Sequence, residues 1–167
     1  MTDPVGTIVG IIALNGGKLV GKTRLQKVMY LLDACGLDSG FEYDYHHFGP
    51  YSADVALAMD AAEMMSRVQS EEKPGFHSVP YVVYRTGEDG PKKIGEMNAS
   101  DVVTKLSILE SYSALVLELA ATVCYLEREE GYTREGAQRE VVVRKAAKAS
   151  KDRLDSANEL LARLQLH

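Results

Sequence analysis

Tyr43-Asp44-Tyr45-His46-His47-Phe48-Gly49-Pro50-Tyr51-Ser52 is the stretch on which the organisation of this chain turns. From Phe41 onward, Phe41, Tyr43, Tyr45 and His47 alternate with Glu42, Asp44 and His46, the two-residue period of a strand with one aromatic and one polar face. Gly49-Pro50 closes the strand, and Ser52 has the short hydroxyl that caps a helix. The pattern therefore predicts a strand over 41–48. A helix follows from about Ala53 to Val68, with Val55, Met59, Ala62 and Met65 inward and Asp54, Asp60 and Glu63 outward.

Upstream, Val5, Ile8, Val9, Ile12 and Leu14 predict a short helix stopped by Asn15-Gly16-Gly17. Thr23-x-x-Gln26 has the form of a capping box, and Leu25, Val28, Met29, Leu31 and Leu32 form the apolar face of a second helix, Arg24 to Cys35. Downstream, Val79 to Arg85 reads as a strand entering a wing-like loop, Thr86 to Pro91. From Ser100 the chain is helical by pattern: about Asp101 to Ser111, Ser113 to Glu130, Thr133 to Lys145 and Lys151 to Leu166. The fold class expected is α+β, mainly α. A winged-helix-like half with a small antiparallel sheet, residues 1–98, packs on a C-terminal helical bundle, residues 99–167, as one compact unit.

The 167 residues fit one domain, and 46% apolar content is enough for a self-sufficient core. Nineteen basic against 24 acidic residues, a net charge of −5, give no general attraction to phosphate backbones. Cys35 and Cys124 lack metal-finger spacing, which excludes a disulfide scaffold and a zinc knuckle. No stretch approaches a membrane span and no signal-peptide pattern is present, so a cytoplasmic protein is expected.

Gly16-x-x-x-x-Gly21-Lys22-Thr23 formally matches a P-loop, in which backbone amides cradle phosphates and Lys reaches the terminal ones. The largely helical remainder leaves too few strands for the parallel sheet that such a loop needs. Glu42, Asp44 and His46 would share one strand face, but one strand splays its side chains too far apart to gather three metal ligands. Neither Cys35 nor Ser52 has a fixed geometry with His46, His47 or His77 for nucleophilic catalysis, and the composition points to no cofactor. Lys22, Arg24, Lys92 and Lys93 are candidate nucleic-acid contacts, although the third helix of the winged-helix order carries Asp54, Asp60 and Glu63, the wrong sign for a groove reader.

Lys22-Thr23-Arg24-Leu25-Gln26-Lys27-Val28-Met29-Tyr30-Leu31-Leu32 followed by the Gly49-Pro50-Tyr51-Ser52 strand end resembles the YwgA-like proteins of bacteria and archaea. The pair of features is also distantly similar to the Panacea domain of SocA-type antitoxins. The resemblance implies a mainly helical cytoplasmic protein, encoded with defence or toxin–antitoxin genes, without established enzymatic activity. It marks Leu25, Leu31, Gly49, Pro50 and Ser52 as structural signature residues. Gln26, Lys27, Tyr30 and Tyr51 are left as the polar or amphipathic groups expected to engage a partner protein, such as a toxin or effector encoded nearby.

The expected function is thus a non-enzymatic, antitoxin-like or regulatory interaction module. The alternatives are a nucleotide-binding protein built on Gly16 to Thr23 and a winged-helix transcriptional regulator. The stripe Leu154, Ala157, Leu160, Leu161 and Leu164 adds the expectation of a homodimer through the C-terminal helices.

Overall fold

Asp3 accepts a hydrogen bond from the Gly6 amide and Pro4 occupies the first helical position, which together start α1 (Pro4–Leu14). In the computed structural model, which describes residues 3–166, Gly16 and Gly17 both take positive φ and the Gly17 amide bonds back to the Ile12 carbonyl, ending the helix. The chain then enters β1 (Lys18–Val20) and α2 (Lys22–Ala34). A hairpin of β2 (Asp44–His46) and β3 (Gly49–Tyr51) leads into α3 (Ala53–Met64), whose cap is Ser52 Oγ accepting from the Val55 amide at 3.2 Å.

β4 (Gln69–Lys73) and β5 (Tyr81–Arg85) follow, and with β1 they form a three-stranded antiparallel sheet in the order β1-β5-β4. A second small hairpin, β6 (Lys93–Ile94) and β7 (Met97–Asn98), precedes four helices: α4 (Ala99–Glu110), α5 (Ala114–Glu129), α6 (Arg134–Arg144) and α7 (Lys151–Arg163). The protein is α+β and mainly helical, with small antiparallel sheets, as the patterning predicts.

Several local expectations are corrected. The predicted strand over 41–48 is only three residues long, and Gly49-Pro50 lies within the returning strand, where His46 pairs with Gly49 and Tyr45 with Pro50. β1 and β4 escape the pattern reading for physical reasons. β1 is three residues among glycines, and Gln69 to Glu72 in β4 is exposed throughout, a charged edge with no alternation. The wing expected at Thr86 to Pro91 does not join two strands of this sheet. Residues 74–80 make that connection, while Gly90 closes on Leu14 and Pro91 on Gly10 of α1. The Thr23 capping box is absent: the N-cap of α2 is Gly21, without a side-chain bond.

Buried residues of both halves form one core cluster. At its centre lies α5, where Val116 to Cys124 is buried without interruption. A helix apolar all round must be enclosed, and α2, β3, α6 and α7 pack around this one. The stripe on α7 meets α5: Ala157, Leu160 and Leu161 are fully buried and Leu164 nearly so. That stripe is covered within the chain by α5. Among the described residues no single helix is long and apolar enough to cross a membrane.

Candidate functional site

The buried face of α2 reads the backbone of the Gly49–Ser52 segment. Gln26 Nε2 donates to the Ser52 carbonyl at 2.9 Å, and the Ser52 amide donates to Gln26 Oε1 at 2.8 Å. One turn face of α2 also carries Lys27, whose Nζ donates to the Pro50 carbonyl at 2.6 Å. These bonds satisfy polar groups of a segment that is buried against two helices, where an unpaired amide would be costly. On its other side the segment rests on α5. Gly49 has φ +89°, and a Cβ there would stand 2.5 Å from Thr122 Oγ1. Only glycine fits both the conformation and the space.

Behind the hairpin lies a cluster of charges. Glu118, buried in the middle of α5, meets Lys145 Nζ at 3.4 Å and Lys148 Nζ at 3.1 Å. Lys145 also donates to the His47 carbonyl at 2.9 Å, and the Lys148 ammonium sits 4.6 Å from the centre of the Phe48 ring. Lys27 faces the same field: burial pushes its pKa down to about 8 against the pull of Glu118, and Lys145 and Lys148 add to the depression. Glu118 thus pairs with two lysines, Lys145 and Lys148, while Lys27, buried like Lys145, feels its field without pairing to it.

A cleft of about 270 Å³ opens between α2, the hairpin and α3. Its walls are Leu25, Val55 and Met59 with Phe48 and Ala56, and its polar groups are Lys22, Thr23, Gln26, Lys27, Tyr51, Asp60 and Tyr84. The signature residues of the sequence therefore do converge, but not as an exposed surface. Gln26, Lys27 and Tyr30 are all buried, and only Tyr51 is half-exposed. Tyr30 packs edge-on against Tyr43 at 5.0 Å, and its buried hydroxyl has no hydrogen-bond partner among the described residues. The partner surface expected from these four residues is corrected accordingly: three of them hold the fold. Leu25 and Leu31 are core residues, Pro50 is buried in β3 and Ser52 is the cap of α3.

The other candidates are dispersed. In Gly16 to Thr23 the backbone forms a turn, β1 and the start of α2, and the Gly17 and Gly21 amides are spent on Ile12 and Val82 carbonyls instead of pointing into a phosphate-sized loop. Lys22 is exposed, but Arg24 is drawn inward to the Leu109 and Tyr112 carbonyls, at 3.3 and 2.6 Å. Lys93 lies in the small hairpin beside Glu96 and lines a different groove, and the exposed Lys92 precedes that hairpin. Asp44 and His46 are exposed on β2, Glu42 precedes it, and His46 stacks on Tyr51. Burial pushes both thiols up, Cys124 to about 11, opposite to what a nucleophile needs.

Sequence reasoning missed Glu118, Thr122, Lys145 and Lys148. The available signal was Glu118 itself, a lone charge inside the apolar run Leu115 to Leu126, which demands a buried partner.

The fold and this site define a mainly helical α+β protein in which one helix clamps a Gly-Pro-Tyr-Ser strand over a buried lysine cluster. No family model matches the chain. It is similar to the uncharacterized protein YwgA of Bacillus subtilis (strain 168), at 24% identity over 115 residues, covering 68% of this chain and 69% of that protein.

Proposed function

We propose that the chain is a non-enzymatic interaction module of the regulatory or antitoxin-like kind, acting in the cytoplasm, and that its contact surface is the outer face of α3. The observation that carries the reading is the composition of that face. Asp54, Leu57, Asp60 and Met64 fall at helical spacing along it, with Leu57 67% and Met64 86% exposed. A stripe of large apolar groups between carboxylates complements a basic amphipathic segment of a partner protein.

The sheet order β1-β5-β4, with three helices threaded before β4, resembles the connectivity of winged-helix domains, with β2 and β3 inserted ahead of α3. In that reading residues 74–80 are the wing, with Phe76 90% and Val79 67% exposed. The acidic, apolar α3 supports a protein partner over a phosphate backbone. The resemblance of the Leu25 to Leu31 helix and Gly49-Pro50 to the Panacea domain supports an antitoxin-like role.

The test is co-expression with the neighbouring gene product, followed by calorimetry with wild type, Leu57→Lys and Asp60→Lys. The expected result is a complex weakened about tenfold or more by either change, with unchanged thermal stability. A complex indifferent to both changes, or salt-sensitive DNA binding that neither change affects, overturns the reading.

A further inference from the structure

We infer that the cleft between α2, the hairpin and α3 binds a small organic carboxylate with an apolar body, and that Lys27 supplies its counter-charge. The inference does not depend on the partner proposed for α3: the two share only Asp60, and Leu57 and Met64 are not among the cleft residues.

The charge argument comes first. Lys27 is 1% exposed and an ammonium has three donors, yet among the described residues its single hydrogen bond is to the Pro50 carbonyl. Glu118, the nearest anionic influence, is already held by Lys145 and Lys148, and among the described residues no carboxylate lies within ion-pair distance of Lys27. Burying an ammonium with two donors idle is unfavourable by ordinary solvation arguments. Such a group gains from any anion that can reach it, and Lys27 lines a cleft that opens to solvent.

The chemistry of the walls selects the anion. Leu25, Val55 and Met59 are nearly or fully buried and Phe48 stands at the rim, so the site offers apolar contact around one positive charge, the usual composition of a small-molecule pocket. Lys22 and Asp60 also line the cleft, and the Asp60 carboxylate repels multiply charged anions such as phosphate more than a monoanion. Thr23, Tyr51 and Tyr84 also line the cleft, and a hydroxyl is a group that donates to either oxygen of a carboxylate. A monoanion with a hydrocarbon body satisfies all of these at once.

The experiment uses the full chain with acetate, butyrate and benzoate as probes, benzamide as the neutral isostere of benzoate, and inorganic phosphate, read by calorimetry and thermal shift near pH 7. Two variants accompany wild type: Lys27→Met, and Ala56→Phe, which fills the cleft from a half-exposed wall position and leaves Lys27 in place. The expected result is saturable binding of benzoate or butyrate, at least about tenfold weaker for benzamide and lost in Ala56→Phe. Lys27→Met, if it folds, loses the preference for benzoate over benzamide. Failure of all three carboxylates to bind at millimolar concentration, equal affinity for benzamide, tighter binding of phosphate, or retention in Ala56→Phe each overturns the assignment.

Discussion

Gln26 and Ser52, 26 positions apart in sequence, are joined by a reciprocal pair of hydrogen bonds between one side-chain amide and one residue's backbone. The same Ser52 caps α3 with its hydroxyl. The clamp therefore sets where α3 begins relative to α2, and with it the shape of the cleft between them. Gln26→Leu leaves a buried amide and carbonyl without partners and is expected to lower stability by about 2–4 kcal/mol, whereas Ser52→Ala removes only a cap bond, about 1 kcal/mol. Urea denaturation of the two variants checks the ranking, and a Gln26→Leu loss no larger than that of Ser52→Ala would mean that the clamp contributes little.

Gly49→Ala is expected to cost about 3 kcal/mol, combining left-handed strain with the 2.5 Å approach to Thr122 Oγ1. In a Thr122→Ala background the steric part is relieved, and the same change should cost only about 1 kcal/mol of backbone strain. A double-mutant cycle measures the difference directly; strict additivity of the two changes is the contrary result.

Glu118→Gln leaves Lys145 and Lys148 without their carboxylate and is expected to destabilise by about 3–5 kcal/mol. Adding Lys145→Met should restore much of that loss by removing the buried charge left unpaired, although the bond to the His47 carbonyl goes with it. If the double variant is no more stable than Glu118→Gln alone, the cluster is not governed by charge balance.

Lys27 gives a pH dependence with a definite sign. Its pKa falls from 10.5 in the unfolded chain to about 8 in the folded one, so between these values the unfolded state binds more protons and stability rises with pH. The burial penalty is present in full below pH 8 and relieved toward pH 10.5, about 3 kcal/mol over the whole window. Above about pH 9 the buried Cys124 works oppositely, because its raised pKa favours the unfolded thiolate. The clean measurement is the stability difference between wild type and Lys27→Met, which should shift toward wild type from pH 7 to pH 9.5; a flat difference contradicts the depressed pKa.

Much of the helical framework was legible in the sequence because it depends on local facts. Ser52, Ser113, Thr133 and Ser150 each accept from a backbone amide three residues on, and the helices begin where these caps stand. The strands were harder. β1 is held by Val83, Tyr84 and Arg85 far along the chain, and β4 exists only because β5 offers it a ladder, a partnership no local pattern encodes. Gln26 and Lys27 show the same limit at the site. Polar side chains on a helix read as solvent-facing until the carbonyls and amide they satisfy are in view.

The sequence by itself determined the mainly helical α+β class, the caps and the presence of a special Gly49-Pro50-Tyr51-Ser52 segment, because hydrophobic period, capping chemistry and turn residues act within a few positions of themselves. Tertiary structure alone decided that Lys27, Glu118, Lys145 and Lys148 meet behind that segment. Their encounter spans more than a hundred residues of chain, and in a medium of low dielectric it is proximity in space that fixes whether a charge is surface decoration or a buried group seeking a partner.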